Sequence, residues 1–212
     1  MSTTKAHQQY KLKDGTIVPG VTTILGILAK PALIHWAWYL GMQKQDYRKV
    51  RDKAADIGTI AHLMIECDIK GVQFDRTQYV PDNVDKAENA YLAWLEWKDK
   101  FKVITVASEK QIVSEEYKFG GTLDWVALHK DSLWLIDFKS SKGIYEEMKY
   151  QLAAYCFLWD CNDFKCIDQV HLIQLGKEDG SFSHHFYPDL KKEWEIFKHC
   201  LGIYNLTRKK KG

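Results

Sequence analysis

The segment Leu133-Trp134-Leu135-Ile136-Asp137-Phe138-Lys139 decides how this chain is read. Its apolar residues fall on both alternating faces, the pattern of a strand covered on both sides and therefore central in its sheet. It then ends on two charges. Asp137 and Lys139 stand two residues apart, so both side chains point to the same side of the sheet. A carboxylate near a central strand is costly to bury without a partner. By themselves the two residues read equally as a structural ion pair closing a strand and as part of a reactive centre.

The residues upstream shift that balance. Phe119 to Leu128 alternates around a Gly-Gly pair, and Val103 to Val113 is rich in β-branched residues; both read as strands. His129-Lys130-Asp131-Ser132 is a turn that joins the second and third strands as a hairpin. With the turn centred between Lys130 and Asp131, Asp124 comes level with Asp137 on the neighbouring strand. Paired strands lie about 4.8 Å apart. Two carboxylates at that spacing share one site and repel unless a cation lies between them. A hard divalent ion that prefers oxygen ligands, Mg²⁺ or Mn²⁺, answers that need. An adjacent lysine can orient water and stabilise charge on a phosphate. The set points to metal-assisted phosphodiester hydrolysis.

The rest of the chain supplies the frame. Thr22-Thr23 are expected to cap a short helix through Leu28, and Pro31 to open a helix running to Arg48. A third helix is expected over Asp52 to Ile69, ended by Gly71. After Pro81, residues Val84, Ala87, Tyr91, Trp94, Leu95 and Trp97 recur at helical spacing, with Trp94 and Trp97 as core. Downstream come a helix over Tyr145 to Trp159, strands over Val170 to Leu175 and Phe182 to Tyr187 around a turn at Asp179-Gly180, and a last helix from Asp189 to Leu206. The order predicts an α/β fold: one mixed central sheet flanked by helices, with a helical N-terminal half. Residues 1–13 are expected to be a flexible N-terminus, 14–206 the single domain, and 207–212 a basic tail.

At 212 residues, with 46% hydrophobic and 27% charged residues, the chain can bury one substantial core. The net charge of +2 argues neither for nor against nucleic acid, so local patches must decide. Lys44, Arg48, Lys49, Arg51 and Lys53 form such a patch, readable as a path for a nucleic-acid strand or as a solvated face. The five cysteines include no CxxC pair and imply reduced thiols in a cytosol-like compartment. Met1 to Lys13 carries no apolar leader core. No apolar run reaches the roughly 18 residues of a membrane span. His184-His185 reads as surface.

The motifs resemble one family in particular. Gly121-Thr-Leu-Asp124, Ile136-Asp137-Phe138-Lys139 and Gln151-Leu-Ala-Ala-Tyr155, in that order, resemble the RecB-like branch of the PD-(D/E)XK nucleases. Within it they resemble most the mitochondrial genome-maintenance exonuclease group and its phage and bacterial relatives. Val18-Pro-Gly-Val-Thr-Thr-Ile-Leu25 and the continuation Asp137-Phe-Lys-Ser140-Ser141 share the likeness, which spans Gly15 to Tyr204. The resemblance implies a restriction-endonuclease-like PD-(D/E)XK core and a metal-dependent DNA exonuclease acting on single strands or ends. It implies work in replication, repair or recombination, alongside a replication or recombination protein. The cysteine usage, the polar N-terminus and the lack of a long apolar run lead to the expectation of a cytoplasmic location (host cytoplasm for a viral protein) and no membrane.

By position, the resemblance makes Asp124 and Asp137 metal carboxylates and Lys139 the catalytic lysine. His62, in Gly58-Thr-Ile-Ala-His62, becomes a metal ligand supplied by a helix, and the Phe138 carbonyl completes the shell. Gln151 and Tyr155 belong to the helix beside the active site, and Ser140 to its supporting residues. Glu66, one turn from His62, is either a partner for the imidazole or a surface carboxylate. Glu109 matches an acidic position of relatives, or is an exposed strand charge. The cofactor implied is Mg²⁺ or Mn²⁺. Cys156, Cys161 and Cys166 lack the spacing of an iron–sulfur site, so no cluster is expected. Two further readings stay open: a sequence- or structure-specific endonuclease on the same core, and a non-catalytic nucleic-acid-binding protein.

Overall fold

The computed structural model describes residues 9–141, 143–162, 164–175 and 182–208. Tyr10–Lys11 (β1) and Ile17–Val18 (β2) form a small antiparallel pair. Helices α1 (Val21–Leu25), α2 (Pro31–Met42), α3 (Tyr47–Lys70) and α4 (Pro81–Phe101) follow. The sheet strands are β3 (Ile104–Ser114), β4 (Phe119–His129), β5 (Ser132–Lys139), β6 (Gln169–Leu175) and β7 (Phe182–Tyr187). Helix α5 (Glu146–Asp160) lies between β5 and β6, and α6 (Lys191–Thr207) closes the chain.

The five strands lie in the order β3-β4-β5-β6-β7, so β5 occupies the middle, as its two-sided apolarity requires. Neighbours are antiparallel except β5 and β6, which run parallel because α5 carries the chain back across the sheet. Two cores cover the two faces. Helices α1, α5 and α6 pack on Phe119, Leu123, Leu133, Leu135 and Leu172. Helices α3 and α4 pack on Trp125, Trp134, Ile136, Phe138 and Ile173. Trp94 and Trp97 are buried in this second core. The protein is thus a mixed α/β fold with its five-stranded sheet flanked by helices.

The helical half departs from expectation at three points. The helix begun at Pro31 ends at Met42 rather than Arg48: Lys44 takes a left-handed φ of 56°, and Asp46 caps a new helix by accepting from Arg48 N at 2.9 Å. Helix α3 therefore starts five residues before Asp52, and Gly71 (φ 66°) ends it as expected. Thr22 and Thr23 lie inside α1 instead of capping it, with Gly20 at the cap position. At the N-terminus, residues 1–8 lie outside the described residues, while Tyr10–Lys11 is paired and Leu12 is buried. The ordered chain begins before residue 14 because Tyr10-Lys-Leu12 and Ile17-Val18 close a short hairpin across Asp14-Gly15, with Thr16 N donating to Asp14 at 2.8 Å.

His184-His185 is half-buried rather than surface. His184 contacts His171, Trp97 and Phe101 through its ring, and its Nε2 lies 2.8 Å from His171 Nδ1. The turn at Asp179-Gly180 and the basic residues 209–212 lie outside the described residues. Among the described residues, no helix is long and apolar enough to cross a membrane.

Candidate active site

The hairpin register places the carboxylates. Strands β4 and β5 pair through Trp125↔Ile136, the alignment expected from a turn between Lys130 and Asp131. The ladder stops there. Two residues further along β5, Phe138 N–H donates to Asp124 Oδ2 at 3.0 Å, so a side-chain carboxylate takes over a main-chain donor where the strands part. On the other side of β4, Ser108↔Trp125 and Lys110↔Leu123 bracket Glu109 opposite Asp124. Glu109, Asp124 and Asp137 therefore form one row across three adjacent strands. Glu109 sits at a φ of 49°, an unusual conformation for a residue with a Cβ inside a strand.

Helix α3 supplies the histidine. His62 Nε2 lies 3.1 Å from the Phe138 carbonyl oxygen and 3.5 Å from Asp124 Oδ2, and the ring meets Phe138 edge-on. One ligand atom each from His62, Glu109 and Asp124 falls within 4.8 Å of the others. That is the compact ligand group among the described residues, and it differs from the expected His62–Asp124–Asp137 set. Asp137 lies outside that group, ion-paired with Lys139, although the charges of Asp124 and His62 still act on it.

Asp137 is nearly fully buried, and neither carboxylate oxygen has a hydrogen-bond partner of good geometry. The Lys139 ammonium lies against Oδ2 as an ion pair. Burial raises the Asp137 carboxyl to about 6; Lys139 opposes that rise and the Asp124 charge adds to it. Burial acts on Lys139 in the opposite sense, but the Asp137 and Asp124 carboxylates outweigh it and hold the ammonium above its ordinary value. Lys139 thus stays charged at neutral pH.

Helix α5 backs the site. Gln151 Nε2 donates to Tyr155 Oη at 2.8 Å. Burial, then the Asp137 and Asp124 charges, hold the Tyr155 phenol well above its usual range, so it remains a hydrogen-bond donor. A Cβ at Gly121 would stand 2.6 Å from a Tyr155 ring carbon, and one at Gly120 would stand 2.6 Å from Tyr10. The Gly-Gly pair is needed because an aromatic ring lies against each member. Pro19 O accepts from Gly120 N at 3.0 Å, so the Val18-Pro-Gly segment is strapped to the same strand.

Of the other expected residues, Glu66 is paired with Lys70, and Ser140 is half-buried directly after β5. Sequence reasoning missed Tyr10, whose hydroxyl lies 3.0 Å from Thr122 Oγ1. Its signal was the short hairpin pattern around Asp14-Gly15. The five cysteines are free thiols.

The donor set suits a hard divalent cation. It comprises two carboxylates and an imidazole in contact range, a main-chain carbonyl beside them, and nearby the buried Asp137 carboxylate paired with Lys139. Nε2 is the ring nitrogen of His62 that faces Asp124 and the Phe138 carbonyl.

No family model matches the chain, and no curated protein matches it. Solved structures do. A "Putative exonuclease" from Eubacterium rectale superposes with a TM-score of 0.50 and 11% identity, covering 72% of this chain and 69% of its own. An alkaline exonuclease from Laribacter hongkongensis gives a TM-score of 0.38 and 12% identity over 71% of this chain and 86% of its own. At these identities the likeness to the Eubacterium rectale structure establishes the fold. This chain folds as that protein does.

Proposed function

We propose that this protein is a metal-dependent DNA exonuclease of the PD-(D/E)XK type, in the RecB-like branch near the mitochondrial genome-maintenance exonuclease group. It acts on single-stranded DNA or DNA ends in replication, repair or recombination. One observation carries this reading. Glu109, Asp124 and the α3 histidine His62 converge in one ligand group at the strand ends, and the next strand carries Asp137 with its paired, charged Lys139. The matching fold of the Eubacterium rectale structure supports it.

In this reading His62, Asp124, Glu109 and the Phe138 carbonyl hold Mg²⁺ or Mn²⁺, with Asp137 within reach of the same charge. The ion would supply Lewis-acid polarisation of the phosphate and neutralise its charge. Lys139 presents a fixed positive charge where negative charge grows on the phosphate oxygens. Asp137 holds that ammonium in place, and the Gln151–Tyr155 pair packs the α5 side of Asp137 against water. Glu66, through Lys70, and Ser140 remain supporting residues beyond the ligand group.

The test is cleavage of end-labelled single-stranded DNA with Mg²⁺ or Mn²⁺. Asp124→Ala and Lys139→Ala should each lose at least about a hundredfold in rate. Unchanged rates in both would end the proposal. A closed single-stranded circle separates the two nuclease readings: an exonuclease leaves it intact, whereas an endonuclease opens it.

A further inference from the structure

Helix α2 has no place in the site described above, and its composition is unusual for a surface. From Pro31 to Gln43 it contains no charged residue. Yet its outer face is bare: Ile34 is 73% exposed, Trp38 61% and Met42 68%, with Tyr39 beside them. Ile34, Trp38 and Met42 are spaced by four, so they line up as one stripe. Among the described residues of the helix only Leu40, on the opposite side, is buried. Soluble monomers rarely leave so continuous an apolar and aromatic face open without a partner.

Cations frame this face. The stretch from Lys30 to Asp52 holds five Lys or Arg residues against two Asp. Both acids are engaged: Asp46 accepts from Arg48 N to cap α3, and Asp52 pairs with Arg51 at 2.7 Å. Lys44, Arg48 and Lys49 are exposed. The Arg48 guanidinium lies 5.7 Å over the Tyr47 ring, and Tyr47 meets Trp36 edge-on at 6.5 Å. Aromatic faces bordered by guanidinium and ammonium groups suit a single-stranded nucleic acid, whose bases stack while its phosphates take the cations. A symmetric pairing of two copies through the same face would bring the flanking cations of one copy against those of the other. Helix α3 links the patch to the site: from Tyr47 to His62 is 15 residues, or roughly 22 Å along its axis.

We propose that the outer face of α2, with Lys44, Arg48 and Lys49, is a base-stacking platform that holds single-stranded DNA leading to the carboxylate site. The choice of DNA rests on the nuclease reading; the existence of the platform does not. A double helix hides its base faces, so the platform selects unpaired strands.

The test uses the full chain in EDTA, which separates binding from cleavage. The probe is a fluorescein-labelled oligothymidylate of about 20 nucleotides, titrated by anisotropy. Trp38→Ala should weaken binding by about tenfold, and Trp38→Phe should retain most of the affinity because a ring remains. Lys44→Ala should reduce the salt dependence of binding as well as its strength. Duplex of the same length should bind more weakly and be insensitive to Trp38→Ala. The platform is overturned if Trp38→Ala, melting like the parent chain, binds as the parent does. It is equally overturned if the chain sediments as a dimer that Ile34→Glu dissolves while oligothymidylate binding is unchanged. It also falls if the parent chain binds anionic lipid vesicles but not the oligonucleotide. Cleavage by the parent chain with an unaltered affinity in Trp38→Ala removes the platform and leaves the nuclease. Trp38-dependent binding without cleavage under any divalent ion removes the nuclease and leaves the platform.

Discussion

Asp137→Asn should change how stability responds to pH, and by a calculable amount. Burial raises this carboxyl from 3.8 to about 6, opposed by Lys139 and reinforced by Asp124. A carboxyl raised in the folded state keeps a proton that the unfolded chain has already released, so stability falls as pH rises through that interval. At 1.36 kcal/mol per pH unit, a rise of this size costs the folded state little at pH 4 and on the order of 2–3 kcal/mol at pH 7. Asparagine carries no such dependence. It also removes the partner of Lys139, but that ammonium stays charged throughout this range, so its loss is a constant offset. Urea unfolding of both proteins in EDTA, from about pH 4 to pH 7, should show the difference moving by about 2 kcal/mol in favour of the variant. A saturating divalent cation should raise both proteins, since the variant keeps His62, Glu109 and Asp124, and a ligand at a hundred times its Kd adds about 2.7 kcal/mol to a protein that binds it. A difference that stays flat with pH would refute the argument that burial of the Asp137 carboxylate outweighs its ion pair with Lys139.

Two other perturbations test the frame around the site. Burial, then the neighbouring His184 and His129, lowers His171 from 6.5 to about 3. The folded state therefore refuses a proton that the unfolded chain accepts, and stability is lost as pH falls below about 6.5, by about 2 kcal/mol at pH 5. His171→Phe keeps a ring against Trp134 and Phe186 and should lose much less between pH 7 and pH 5 in the same denaturation assay; an equal loss would exclude His171 as the source. Gly121→Ala puts a methyl 2.6 Å from the Tyr155 ring, so the strand or the ring must move. It should cost about 1–3 kcal/mol and slow cleavage, whereas an unchanged melting temperature would show the contact to be soft.

The strands around the site were legible because their signals are local. An apolar run ending in Asp137-Phe-Lys139 can only be a central strand with a charged end. The hairpin turn then fixes the register, since a slip of one residue would send every side chain to the wrong face. The pairing Trp125↔Ile136 follows from that logic. The break between α2 and α3 was less legible. It depends on Lys44 adopting a left-handed conformation that the apolar periodicity does not encode. Tyr10 was passed over because two-residue strands give too short a pattern, and one of the glycines under its ring, Gly120, is far away in sequence.

The sequence by itself determined the order of elements, the pairing of β4 with β5, and the placing of Asp124, Asp137 and Lys139 at one end of the sheet. Periodicity and turn chemistry act over a few residues and need no knowledge of distant parts. Tertiary structure alone decided which groups converge. It set Glu109 beside Asp124 and brought His62 against Phe138 from a helix 76 residues earlier. It also left the apolar face of α2 uncovered. Convergence and exposure depend on how helices pack across the sheet, a sum of many weak contacts between residues remote in the chain, and no local pattern carries that sum.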